Sequence, residues 1–203
     1  HGRVHRIRSI EDARALHTVL GPGVRLAIFG GGWLGLELAA VARGQGAAVQ
    51  LHSRGRILGR LPAGVSEYIA ARHRAEGVDL DFGPLPDFTE RRDAVEVAGH
   101  GRFDALVVAI GMDPNDKLAR EAGLEIDNGI KADVGGMTSD PAIFALGDVA
   151  NWAGRRIESW HNANDQAQVV ARRLLGVATL PMPQPRFWSQ QFDMLIQIAG
   201  LPD

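Results

Sequence analysis

Three glycines, Gly30, Gly32 and Gly35, stand in the spacing G-x-G-x-x-G inside the stretch Leu26-Ala-Ile-Phe-Gly-Gly-Gly-Trp-Leu-Gly-Leu-Glu37. That spacing suits the binding of a pyrophosphate by backbone rather than by side chains. Gly30 permits a tight turn, Gly32 lets the backbone approach the phosphates, and Gly35 lets a helix pack closely. Gly31, Trp33 and Leu34 fill the rest of the turn. A helix from Leu34 to Arg43 would then aim its free N–H groups and positive dipole end at the anion. A glycine-rich loop with no ligand is the competing reading. The context argues against it: the apolar run Val24 to Phe29 precedes the turn as a buried strand, and Ala47 to Leu51 closes a βαβ unit.

The end of the second strand bears on which dinucleotide is bound. An NAD site places an acid about twenty residues past the glycines, where it accepts from the ribose 2′-hydroxyl. Here the residues are His52-Ser-Arg-Gly-Arg56, with Ser53 in that place, Arg54 next and Arg56 close by. A hydroxyl and guanidinium groups would bind a 2′-phosphate that a carboxylate would repel. NADP is therefore favoured over NAD, against the alternative of a solvated arginine loop that tolerates NAD. Gly111, at the carboxyl end of a later apolar strand, lies where open α/β sheets bind ligands. Gly147 and Asp148 follow a short buried strand read over Ile143 to Leu146. Asp148 could accept from ribityl or ribose hydroxyls or could simply cap the next turn. Trp160 precedes a helix read from Asn162 to Leu175, with Val169, Val170 and Leu174 inward. A flat electron-accepting ring could rest on Trp160 with its carbonyl edge at the positive helix end; an ordinary capped amphipathic helix is the alternative.

The elements that must position these residues follow in order. Ser9 and Asp12 fit a capping box, and Gly21-Pro-Gly23 stops the helix behind it. Leu61 to Glu76 reads as the second helix of the nucleotide fold, with Ile69 and His73 on one face, and His73 reads as a packed or surface histidine. Val78 to Phe82 is the third strand. Phe88 to Thr89, Ala94 to Val97 and Arg102 to Ile110 look like an antiparallel excursion whose last strand is central. Pro114 ends it. Gly129 to Val134 suggests a strand, Pro181 to Pro185 a linker, and Met194 to Ile198 a last strand.

Composition narrows the class. A net charge of −2 over 203 residues argues against a nucleic-acid partner recognised by bulk charge. No apolar run is long enough to span a bilayer and the start carries no signal-peptide pattern, so no membrane role is expected and a cytoplasmic location is. There is no cysteine, which rules out disulfides, cysteine–zinc sites, thiol nucleophiles and a Cys-x-x-Cys redox pair within these residues. The chain begins with histidine and stops just after a strand, so it is expected to be part of something longer.

Five motifs then occur in one order: Gly30 to Glu37, Ala109-Ile-Gly-Met-Asp-Pro-Asn115, Thr138 to Asp148, Glu158-Ser-Trp-His-Asn-Ala163 and Phe187-Trp-Ser-Gln-Gln191. In this the chain resembles FAD-dependent pyridine-nucleotide oxidoreductases, and within them the ferredoxin reductases that serve Rieske dioxygenases and bacterial cytochrome monooxygenases. The resemblance implies an α/β fold. Residues 1–112 would be a Rossmann-like NAD(P)-binding domain with a parallel sheet and a β-meander. Residues 113–176 would be the second half of an FAD-binding domain, and 177–203 the start of a C-terminal interface domain. It implies a flavoprotein oxidoreductase passing electrons from NAD(P)H through FAD to a ferredoxin or similar iron–sulfur protein, with no catalytic side chain. Alternatives are a rubredoxin, nitrite or disulfide reductase flavoprotein, or a nucleotide-binding module without turnover. It further implies that Glu37 approaches the nicotinamide, Ser53 and Arg54 the adenosine ribose, and Gly111 the nicotinamide half. Asp148 would bind FAD, Trp160, Ala163 and Trp188 would lie near the isoalloxazine, and Glu158 would help position the nicotinamide. Two departures stand out: Ser53 replaces the usual acid, and Gln190 replaces the aspartate of the family's Trp-Ser-Asp-Gln.

Overall fold

A computed structural model of the protein describes residues 2–178 and 181–200. It begins with β1 (Val4–His5), α1 (Ile10–Val19), β2 (Arg25–Phe29), α2 (Trp33–Gly44), β3 (Ala48–Ser53), α3 (Ala63–Ala75) and β4 (Val78–Phe82). The short strands β5 (Phe88–Glu90), β6 (Val95–Val97) and β7 (Gly101–Phe103) lead to β8 (Ala105–Val108). After these come α4 (Lys117–Glu121), β9 (Ile130–Ala132), a 3-10 turn (Gly147–Val149), β10 (Ala150–Trp152), β11 (Arg155–Arg156) and α5 (Trp160–Leu174). A hairpin of β12 (Arg186–Gln191) and β13 (Met194–Ala199) ends the described chain.

The chain divides after Gly111 into two compact units, and Ser189–Ile196 belongs with the first. The first unit is built on a parallel sheet in the order β1-β8-β2-β3-β4. Strand alternation sends Leu26, Ile28, Val49, Leu51, Ala105 and Val107 to one face, where they pack with Leu36, Ala39 and Ile69 from the helices. Ala27, Phe29 and Leu106 point the other way, against Val95, Val97 and Phe103 of the small antiparallel sheet β5-β6-β7. Being covered on both faces explains why β2 and β8 read as almost unbroken apolar runs. From β2 the order runs through β3 to β4 on one side and to β8 on the other. The carboxyl end of β2 is therefore the point where the sheet changes direction, which is where such sheets bind ligands.

The capping box of α1 is present: Ser9 Oγ accepts from Asp12 N–H, and Asp12 accepts from Ser9 N–H. The span Arg102 to Ile110, read as one strand, is two. Asp104 takes the chain across: its carboxylate accepts from Arg25 N–H at 2.8 Å and its own N–H donates to Arg25 O. Before it the backbone pairs antiparallel with β6, and after it parallel with β2.

The second unit holds a small sheet in the order β11-β10-β9. Its core is Ala145, Ala150, Trp152, Val169 and Val170. Trp152 satisfies its buried indole N–H on Ala145 O at 2.8 Å. The strand read over Ile143 to Leu146 is absent. Only Phe144 bridges, to Met137, while Thr138 bonds the carbonyls of Asp140 and Ile143 and holds this stretch as a turn. The helix read from Asn162 starts two residues earlier, so Trp160 lies inside its first turn rather than before it. Leu174, read as inward, is 66 % exposed, because the last turn of α5 runs past its cover. Among the described residues no helix is long and apolar enough to cross a membrane.

Candidate functional site

In the first unit the glycine turn adopts a conformation that other residues would not fill. Gly30 has φ +125°, and a Cβ there would lie 2.1 Å from Ala109 O on the neighbouring chain end after β8. Its N–H donates to His52 O at 2.9 Å, so the ends of β2, β3 and β8 meet at this residue. A Cβ on Gly31 would meet Ser53 Oγ at 2.5 Å, and one on Gly35 would meet Gly30 O at 2.0 Å. A Cβ on Gly32 would meet nothing within 4 Å. The turn is thus closed on its protein side and open at Gly32, the N-cap of α2, which carries no side-chain cap. The first intrahelical bond here is Leu36 N–H to Gly32 O, so the helix itself does not use the amides before Leu36. Open backbone at the positive end of a twelve-residue helix fits a dinucleotide pyrophosphate.

Ser53 ends β3, nearly buried, with Oγ against Gly31. Arg54 is exposed beside it. Arg56 is committed elsewhere: its guanidinium donates to Gly59 O and Leu61 O at 2.8 and 2.9 Å, bracing its own loop. Gly111 is exposed at φ +119°, two residues beyond the Ala109 that faces Gly30. Glu37, half-buried on α2, accepts from Ser189 Oγ at 2.5 Å. Ser189 in turn accepts from the Gln191 amide at 3.0 Å, and Gln191 Oε1 faces Nε2 of the fully buried His73 at 2.9 Å. This chain of contacts ties Glu37 to α3. Burial pushes the His73 imidazole below its ordinary value, partly offset by the bond to Gln191.

In the second unit Gly147 donates its N–H to Gln166 Oε1 of α5 at 2.7 Å, and a Cβ at Gly147 would touch the Ala163 methyl at 3.6 Å. Asp148 follows with its carboxylate exposed. Trp160 and Trp188 meet edge to face at 6.2 Å, with His161 between them at 5.3 and 5.2 Å. They remain 66 % and 49 % exposed, a flat surface that suits a planar ring. Arg156 is the organising side chain here. It donates to Asp148 O at 3.1 Å and Asn128 Oδ1 at 3.2 Å, and it pairs with Glu158. Neither Arg156, Gln166 nor Ser189 was among the residues singled out from the sequence. Arg156 reaches Asp148 and Asn128, Gln166 reaches Gly147 and Ser189 reaches Glu37, partners 8 to 152 positions away that their immediate neighbours do not announce.

Residues 1–167 match the pyridine nucleotide-disulphide oxidoreductase family. The chain belongs to that family. Its members use FAD with a nicotinamide dinucleotide. The chain is 40 % identical over 215 residues to the ferredoxin–NAD(+) reductase component of an anthranilate 1,2-dioxygenase system from Burkholderia cepacia, covering 97 % of this chain and 52 % of the relative. It superposes with a TM-score of 0.91 at 35 % identity on a structure of a covalent putidaredoxin reductase–putidaredoxin complex, covering 98 % of this chain and 52 % of that one. A ferredoxin reductase for the CYP199A2 system from Rhodopseudomonas palustris gives 0.88 at 33 % identity, covering 97 % and 52 %. The chain therefore spans about half the length of the relatives it matches, and the Rossmann-like α/β class expected from the sequence is the class observed.

Proposed function

We propose that this chain is the NAD(P)-binding domain and part of the FAD-binding domain of a ferredoxin reductase, which passes electrons from NAD(P)H through FAD to a ferredoxin-type iron–sulfur partner. The glycine turn carries this reading, closed against Ala109 and Ser53 and open at the uncapped start of α2. Residues 1–112 would serve the nicotinamide dinucleotide and 113–176 the flavin, with 177–203 opening a third domain. The relatives' names supply the reaction and the partner class. The flavin that Asp148, Ala163, Trp160 and Trp188 would hold would supply the chemistry of accepting a hydride and releasing electrons singly.

The side chains bind and orient. Gly30 to Gly35 hold the pyrophosphate on backbone amides, and Gly31, Trp33 and Leu34 complete that cradle. Glu37 accepts from the carboxamide while Ser189 fixes one of its oxygens. Gly111, lacking a Cβ, lets the nicotinamide half pass close to the backbone. Gly147, Asp148 and Ala163 form the wall for the flavin chain, and Trp160 and Trp188 flank the ring. Glu158, held by Arg156, helps set the nicotinamide.

NADP(H) is the preferred nucleotide on this reading, although a relative is named for NAD(+). Ser53 brings no negative charge to the ribose, and Arg54 is free to reach a 2′-phosphate where Arg56 is not. Converting Ser53 to Glu and Arg54 to Thr removes a charge-assisted bond of about 1.5–3 kcal/mol. NADPH affinity should fall roughly 10- to 100-fold and NADH affinity should not. Equal effects on both nucleotides would refute the assignment. The reaction itself is tested by the visible spectrum of FAD-loaded protein during anaerobic addition of NADPH and then ferredoxin. Bleaching followed by ferredoxin reduction supports the proposal, and a flavin that no nicotinamide nucleotide reduces refutes it.

A further inference from the structure

On the face of the parallel sheet away from the helices, three potential ligands converge. His52 and Asp81 are register partners on β3 and β4, so their side chains leave the same face. His52 Nδ1 lies 3.0 Å from Asp81 Oδ2. His100, in the turn between β6 and β7, brings Nε2 to 3.7 Å from the same oxygen. The three ligand atoms all lie within 4.8 Å of one another. Nothing in the nucleotide reading uses His100 or Asp81.

We propose that His52, Asp81 and His100 form a binding site for a divalent transition-metal ion of the Zn²⁺ class. Two imidazoles and one carboxylate are a borderline donor set of the kind such ions select, and hard cations such as Mg²⁺ and Ca²⁺ do not. Tetrahedral coordination with bonds near 2.0–2.2 Å separates ligand atoms by about 3.3 Å. The His52–Asp81 and His100–Asp81 distances of 3.0 and 3.7 Å bracket that value. The remaining adjustment falls to His100, whose side chain is partly exposed in a turn between Gly99 and Gly101. His52 is the rigid member: it is 1 % exposed, with its ring edge-on to Phe29 at 5.3 Å and to His100 at 4.5 Å. Its Nε2 has no hydrogen-bond partner, so its polar interactions are confined to the Nδ1 side that faces the cluster. Three protein ligands leave a fourth position to water, reached past the exposed edge of Asp81. A bound ion would clamp β3, β4 and the small sheet to one another. Because His52 O also accepts from Gly30 N–H, the clamp would sit one residue from the dinucleotide turn.

The test is a calorimetric titration of EDTA-treated protein with ZnCl₂, beside His100→Ala and Asp81→Asn. Both positions are partly exposed, so neither change empties the core. One ion should bind per chain. Each variant should lose at least the ~10- to 100-fold in affinity that perturbing even a ligand's supporting partner costs. Co²⁺ should give the visible d–d absorption of a four-coordinate site, and His100→Ala should abolish it. No binding, or binding that both variants retain in full, as it would be on other surface histidines, overturns the proposal and leaves the three residues a hydrogen-bonded cluster.

Discussion

Gly35→Ala separates sterics from helix propensity. Position 35 is the third residue of α2 and has ordinary helical backbone, so alanine should favour the helix by roughly 0.5–1 kcal/mol. Against this, the new Cβ would sit 2.0 Å from Gly30 O and 3.6 Å from Ile28 Cγ2. An ordinary carbon–oxygen contact is near 3.3 Å. The helix start and the turn must therefore separate by about 1.3 Å. Gly30 cannot yield easily, being pinned between His52 O and Ala109. Forcing a methyl into a packed site costs typically 1–3 kcal/mol, which outweighs the propensity gain. Urea unfolding should show a net loss of up to about 2 kcal/mol. The displaced amides no longer converge on one anion, so NADPH affinity should fall at least about tenfold. A variant that is more stable than the parent and binds NADPH normally would show that α2 does not depend on its closeness to the turn.

Side-chain contacts elsewhere in the two units give three further outcomes. His73 is buried and held below its ordinary value, so the folded state stays neutral there while the unfolded chain protonates. Stability should be flat above the unfolded value near 6.5 and decline as pH falls below it, by up to about 1.4 kcal/mol per pH unit until the lowered folded value is reached. In His73→Gln the acid-side slope measured by urea titration should shrink; an unchanged slope would point to other groups. Arg156→Ala removes bonds to Asp148 O and Asn128, and it should destabilise the second unit by ~1–3 kcal/mol and speed flavin loss in fluorescence assays. Unaltered flavin retention would contradict its role. Ser189→Ala frees Glu37 and should raise KM for the nicotinamide nucleotide more than it lowers kcat. An effect on kcat alone would contradict the positioning argument.

What the sequence revealed follows from how local each cause is. The glycine turn was legible because its chemistry needs missing side chains at fixed offsets, and the structure shows clashes at Gly30, Gly31 and Gly35 if they are filled. The capping box was legible for the same reason, as Ser9 and Asp12 act within three residues. Strand β1 was not, since two residues carry no periodicity and its pairing with β8 spans about a hundred positions. The false strand at Ile143 to Leu146 was apolar enough to mislead, yet Thr138 captured the Ile143 carbonyl. Arg56 looked like a phosphate ligand by charge, and two backbone carbonyls of its own loop claim it instead. Arg156 and the Glu37–Ser189 contact depend on distant segments meeting, which no local pattern encodes.

On the function proposed above, the turn from Gly30 to Gly35 binds a nicotinamide dinucleotide. Isothermal titration of the protein with NADPH, with NADH in parallel, tests it most directly. One site per chain is expected, with NADPH bound at least about tenfold more tightly through its 2′-phosphate. Absence of binding by either nucleotide, at concentrations that saturate related reductases, would contradict it.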